Sequence, residues 1–231
     1  MLYCVKELYT YAVETRDEPI GPPYEFCFDD QNWQVRYLVV DLGDWLLEHK
    51  VLVPPALIGQ PDQAGRRLPL ALTRQQVLDS PLLDTHKPVY LQHQATDLRY
   101  LIWAPDMQLP GAMLMSPAAL RLLEQTRAEG NADDSDPHLR STREVCGYHI
   151  VATDGEVGHV EDFIIDGQTW LISYLVIDTR NWLPGHKVII APQWIEKVRW
   201  GERKVHMQLK RQTIEQSPEF DPNSLRHATV A

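Results

Sequence analysis

The stretch RYLVVDLGDWLLEHKVLVPPALI, from Arg36 to Ile58, returns 137 residues later as SYLVIDTRNWLPGHKVIIAPQWI, from Ser173 to Ile195. Repeats are sought before anything else, because missing one misreads the whole fold. The match runs without a gap from Asp17/Asp154 to Asp84/Asp221, with 24 of 68 aligned positions identical. Shared positions include Gly21/Gly158, Phe26/Phe163, Asp29/Asp166, Trp33/Trp170, Tyr37/Tyr174 and Asp41/Asp178. A Trp-x₃-His-Lys signature recurs at Trp45/His49/Lys50 and Trp182/His186/Lys187, followed by Pro55/Pro192. A gapless match of this length points to an internal duplication.

Each copy carries the same local signals. In the second, His149–Ala152 and Val157–Ile165 read as strands, with turns at Asp154-Gly155 and Asp166-Gly167, where glycine tolerates positive φ. Leu171–Asp178 is a nearly continuous apolar run, the pattern of a strand covered on both faces. Lys187–Ala191 and Lys204–Leu209 read as further strands, Pro192–Ile195 as one helical turn, and a short helix ends before Ser217-Pro218. In the first copy Thr73 and Gln76 fit a capping box. Copy 1 departs at Pro22-Pro23, where copy 2 has His159-Val160, so a distorted first hairpin is expected there. The expected organisation is residues 1–84 as one unit, 85–140 as an inter-repeat segment, 141–225 as the second unit and 226–231 as a tail. The segment between the units contains a helix at about 116–129, with a Ser N-cap, Pro at the first position and Gly past the end, then an acidic linker.

Composition limits the function. The 231 residues carry a formal net charge of -10 and 44% hydrophobic residues, as in an ordinary globular protein. The acidic balance argues against broad binding to nucleic acid or to an anionic membrane surface. The N-terminus lacks the basic start and apolar core of a signal peptide, and no apolar run reaches membrane-spanning length. A cytoplasmic location without membrane insertion is therefore expected. Three cysteines, Cys4, Cys27 and Cys146, cannot all pair and match no zinc spacing.

In copy 2 the string G-x-V-E-D-F-I-I-D runs from Gly158 to Asp166. It is followed by W-L-I-S-Y-L-V-I-D-T from Trp170 and W-L-P-G-H-K-V-I-I-A-P from Trp182. This combination resembles the PRC-barrel family, found in the cytoplasmic part of the H subunit of purple bacterial photosynthetic reaction centres and in a ribosome-maturation factor. The resemblance spans both copies and is better in the second. It implies a mainly β fold with short helices, built as two tandem small PRC-type β-barrels packed with pseudo-two-fold symmetry. It also implies docking to a larger assembly and no shared catalytic chemistry.

The candidate partner-binding residues are the repeated Trp45, His49, Lys50 and Trp182, His186, Lys187, since tryptophan beside a cation is a common binding anchor. Their structural reading is that Trp closes the end of a barrel while His and Lys hold the loop. Trp194 and Trp200 align with Leu57 and Gln63, and Trp103 lies between the copies; aromatics held by one copy alone are not demanded by a common fold. Asp41 and Asp178 read as loop-capping carboxylates before they read as general bases, as do Asp29 and Asp166 in their turns. Cys27 aligns with Ile164 and reads as a core residue. The nine histidines include no HExxH and no recurrent ligand spacing, and Asp133-Asp134-Ser135-Asp136 lacks the glycine and distal glutamate of a calcium loop. No cofactor and no metal are expected. The function expected is a non-catalytic cytoplasmic adaptor that binds a protein partner or assembly, a homodimer being compatible with it. The alternatives are an enzyme or small-ligand binder with a site between the barrels, using Asp41, Asp178 and the histidine pair, and an RNA- or ribosome-associated factor.

Overall fold

The computed structural model describes residues 1–43, 49–89, 91, 137–179 and 186–222. The helix read at 116–129, the acidic run 133–136, the tail 226–231, and Trp45, Trp103 and Trp182 lie outside the described residues.

The fold is mainly β, and the four α-helices that lie wholly within the described residues are four or five residues long. The first half runs β1 (Leu2–Cys4), α1 (Val5–Leu8), β2 (Ala12–Glu14), β3 (Pro19–Gly21), β4 (Glu25–Asp29), β5 (Val35–Asp41), β6 (Lys50–Val53), β7 (Arg67–Pro69) and α2 (Arg74–Leu78). The second runs β8 (Leu139–Ser141), α3 (Thr142–Val145), β9 (His149–Ala152), β10 (Gly155–Asp166), β11 (Ile172–Asp178), β12 (Lys187–Ile190), β13 (Ile195–Arg199), β14 (Lys204–Met207) and α4 (Arg211–Glu215). Most elements sit 137 positions from a counterpart, including the 3₁₀ turns Pro55–Leu57 and Pro192–Trp194. The correspondence begins at Leu2 and Leu139, well upstream of the stretch where the sequences align.

The two halves exchange their first strands. β1 pairs with β10 (Leu2 opposite Asp166, Cys4 opposite Ile164), and β8 pairs with β4 (Leu139 opposite Asp29, Ser141 opposite Cys27). These two sets of partners are the same positions displaced by 137. Gln34 bridges its own counterpart Leu171, flanked by Val35 N–H to Trp170 C=O and Ile172 N–H to Trp33 C=O, each at 2.9 Å. The exchange is reciprocal about this point.

Closed barrels do not form. The second half builds an open path, β12-β11-β10-β9-β14-β13, with β1 attached to β10. The first half divides into β3-β2-β7 and β6-β5-β4-β8. Two causes are visible. The outer edge of β12 is taken by the following segment, with Ile189 N–H to Pro218 C=O at 2.9 Å and Phe220 N–H to Lys187 C=O at 2.8 Å, so β12 is not available to meet β13. In the second half Val160 N–H also donates to Tyr148 C=O at 2.9 Å, and β10 runs unbroken for 12 residues. Pro23 stands at the counterpart of Val160 and has no N–H to donate, so the first half breaks there into β3 and β4. The distortion expected at Pro22-Pro23 is thus present, and it splits the sheet.

One core joins the halves. Tyr11, Phe26, Phe28 and Leu38 pack with Tyr148, Phe163 and Leu175, all fully buried. The ring of Phe28 lies 5.5 Å from Phe163, and Phe26 lies 6.0 Å from Trp170. Burial of each such side chain is worth about 1.5–3 kcal/mol. Trp33 and Trp170 adopt φ of 62° and 58°, uncommon for bulky residues, and ring burial offsets the strain. Gly158, at φ 133°, lies where a Cβ would come within 2.1 Å of the Asp178 carbonyl, so the β10–β11 approach requires glycine. Among the described residues no helix is long and apolar enough to cross a membrane.

Candidate functional site

Two counterpart clusters form where the exchanged segments meet the strands that receive them. On β10, Val160 pairs with Ile177 and Asp162 with Val176, which makes Glu161 the extra residue of a β-bulge. A bulge re-aims a side chain out of the strand's alternation. Glu161 Oε1 accepts from Lys6 Nζ on α1 and from Lys187 Nζ on β12, both at 2.9 Å. Its Oε2 lies 3.8 Å from His159 Nε2. His159 stands opposite Asp178 across the β10–β11 ladder, and ligand-type atoms of His159, Glu161 and Asp178 lie within 4.8 Å of one another.

The next residue faces the other way. Asp162 is buried, and its Oδ1 accepts the N–H groups of Phe163 at 2.8 Å and Lys6 at 3.1 Å. It thereby satisfies a free N–H at the start of α1, a task the N-cap residue Cys4 does not perform. In the counterpart, Ser141 caps α3 itself and its hydroxyl donates to the buried Glu25.

The neighbouring carboxyls titrate in opposite directions. Burial alone would raise Glu161, but the hydrogen bonds and charges of Lys187 and Lys6 outweigh it and hold the group at about 2. Burial pushes Asp162 up to about 6, only partly offset by the Phe163 and Lys6 N–H groups. Lys6 is raised, because Glu161 outweighs the loss of hydration. Burial lifts the Cys146 and Cys4 thiols to about 12, and Cys27 well above its ordinary value. None of the three cysteines is poised as a thiolate nucleophile.

Displaced by 137 residues, Tyr24 stands in the place of Glu161, Lys50 in that of Lys187 and Arg143 in that of Lys6. Lys50 Nζ lies 4.3 Å from the centroid of the Tyr24 ring. The Arg143 guanidinium lies 4.9 Å from Tyr24 and 5.0 Å from Tyr9. The Tyr9 hydroxyl is bonded to Thr142 Oγ1 at 2.7 Å. One scaffold thus carries an ion cluster on one side and a cation–π stack on the other.

Of the residues singled out from the sequence, His49 and His186 occupy the same role in the two halves. Their Nε2 atoms lie 3.4 Å from Leu78 C=O and 3.3 Å from Glu215 C=O, at the last turns of α2 and α4. Each thus ties its loop to a helix end. Lys50 and Lys187 belong to the two clusters. Trp194 is 42% exposed, while Trp200 is half-buried in an open groove with Arg140, Arg199 and Glu202. Asp41 Oδ1 accepts from Gly43 N–H at 3.0 Å, and Asp29 and Asp166 accept from turn N–H groups at 2.8–2.9 Å, as loop-capping carboxylates do. Asp178 is fully buried beside His159.

The sequence reading passed over Lys6, Tyr9, Tyr24, Arg143 and Glu161, and weighed His159 only as one of nine histidines without ligand spacing. Positions 6 and 143, 137 residues apart, both hold a cation, a signal that extending the offset upstream would have raised. The trio His159, Glu161 and Asp178 has no motif spacing, since a ladder rather than a helix brings it together. Its donor types suit a divalent cation. Two ammonium groups, however, already neutralise Glu161 and would repel a dication at Oε2, so its chemistry is that of an ionic clamp. Compared with known families and curated proteins, the chain matches no protein-family model and no curated protein sequence.

Proposed function

We propose that the chain is a tandem duplication of a PRC-barrel-like unit, with open rather than closed sheets, that acts as a non-catalytic adaptor for a protein partner or assembly. The observation that carries this reading is the reciprocal exchange of β1 and β8. It makes one interlocked body of two related halves that share their largest core cluster, and it sets two differently charged faces at counterpart positions. Such a body has the attributes of a docking platform. The titratable side chains in its clusters are engaged with one another, and its thiols are held protonated. The motifs at Gly158–Asp166 and Trp182–Pro192 carry the family resemblance. The net charge of -10 weighs against the RNA-binding alternative.

The test is affinity purification of the tagged full chain from its native cells at low and moderate salt, followed by reconstitution with the purified associate. The expected outcome is a protein that survives moderate salt and re-forms a complex of defined stoichiometry by light scattering. Absence of any reconstitutable associate at either salt overturns the adaptor reading.

A further inference from the structure

We infer that a second copy of this chain is a partner in the same strand exchange: the first half of one copy pairs with the second half of another, and the reverse, in a closed dimer. Among the described residues, the contacts that join the halves run between residues 1–89 and residues 137–222, and none requires both to belong to one chain. β1 lies on β10 and β8 on β4, Val35 N–H reaches Trp170 C=O, and Phe28 packs on Phe163. In the dimer both bodies keep these contacts in full, and the Lys6 and Glu161 of each ionic clamp come from different copies. Both halves of both copies are used, so the smallest closed assembly is a dimer.

The connection between the halves decides which form is taken. Val89 and Pro137 line one open groove, so in a single body the 47 residues between them leave and return at one place. At full extension a segment of that length reaches about 155–170 Å, against a radius of gyration of about 17 Å for a body of 231 residues. The connection therefore permits either pairing. It opposes the dimer only through its effective concentration, on the order of a millimolar or below. Copies that fold at micromolar concentration close on themselves, and copies that fold near a millimolar divide between the two forms. Passage from one form to the other requires the halves to separate, which breaks two ladders and opens the shared core cluster. The oligomeric state is thus set when the chain folds and is kept afterwards.

The test unfolds the full chain in urea and refolds it by dialysis at about 1 mM and at about 1 µM, the first near the effective concentration of the connection and the second far below it. Both samples are then diluted to about 1 µM and read by size exclusion with light scattering. The concentrated sample should give a dimer holding roughly a third or more of the protein and lasting for hours, the dilute one monomer alone. Ile164→Cys identifies the interface. Cys4 stands opposite Ile164 in the β1–β10 ladder, at the roughly 4.5–5.5 Å Cα spacing that a disulfide spans. Refolded concentrated and treated with oxidised glutathione, this variant should give a covalent dimer on non-reducing gels; refolded dilute, it should close the bond within one chain. Adding Cys4→Ser should abolish the covalent dimer, which separates it from bonds through Cys27 or Cys146. Amide exchange of the unsubstituted dimer should match that of the monomer at Ile164 and Ile165, a readout that stands even where the variant folds poorly. The inference is overturned by monomer or aggregate alone from the concentrated sample, or by a dimer that dissociates within minutes of dilution. Lower protection at Ile164 and Ile165 in the dimer, or a folded Ile164→Cys dimer without the interchain bond, overturns it as well.

Discussion

Glu161 and Asp162 are adjacent on β10 and nearly opposite in energetic role. Glu161 points along the bulge into two ammonium groups and is held at about 2. A folded value below the ordinary carboxylate value means a contribution to stability that is present above about pH 4.5 and is lost as pH falls toward 2. Asp162 points inward, is held at about 6 by burial, and binds two backbone N–H groups. Here the folded value is raised. The protonated form favours folding below about pH 4, and that advantage is lost as pH climbs through 6. Asp162→Asn keeps an acceptor for Lys6 and Phe163 without a buried charge. It should raise stability by about 1–3 kcal/mol at pH 8, with the gain shrinking to nothing near pH 4. Glu161→Gln should destabilise at neutral pH, and the loss should fade as pH approaches 2. Urea midpoints against pH for the two variants check this, and a gain for Asp162→Asn that grows on acidification would refute the assignment. Neither behaviour was legible in the sequence. Strand alternation alone does not show that Glu161 is bulged outward, and Lys6 is 155 residues away.

At the scale of elements, the strings that the sequence marks as strands are strands. Leu171–Asp178 and Lys187–Ala191 read within one residue of β11 and β12, because branched apolar runs bounded by turns leave little choice. The capping box at Thr73 and Gln76 is present with both reciprocal bonds. β13 was missed, since Ile195–Arg199 mixes charge with apolar residues at a sheet edge and looks like loop. The larger omission is the partner of each strand. Leu2–Cys4 carries an apolar pattern that suits any neighbouring edge, and nothing in it names β10 of the other half. Only Leu2/Leu139, Glu7/Glu144 and Tyr11/Tyr148 are identical across the first 16 pairs upstream of Asp17 and Asp154, so the sequence match faded where the exchange takes place. Those three matter structurally. Both tyrosines are fully buried, and each hydroxyl is bonded to the glutamate four residues earlier. The exchange makes a directed prediction. Leu8 lies in α1, is fully buried and packs in the shared core. Leu8→Ala should cost about 2–5 kcal/mol. Its loss of amide hydrogen-exchange protection should appear at Ile164 and Ile165 of β10, 156 residues or more away, as well as in the first half. Protection lost only in residues 1–84 would show that the exchanged strand is not held as described.

The whole molecule follows from the same exchange. Two halves joined by a tether would each keep a core and could melt apart. Here Phe28 of the first half lies against Phe163 of the second, and Phe26 against Trp170, inside one continuous cluster. Removing a strand from either half also removes a ladder from the other. A sub-global opening that frees one half must therefore expose core surface on both, which makes it nearly as costly as complete unfolding. Phe28→Ala tests this at the contact itself. The side chain is fully buried, so truncation should cost about 3–5 kcal/mol. The effect should be a shift of one cooperative transition, with tryptophan fluorescence, far-UV circular dichroism and exchange of amides in β5 and β11 all moving together. Two separable transitions, with β11 protection unchanged while β5 protection falls, would mean that the halves fold as independent domains, and the interlocked arrangement would have to be given up.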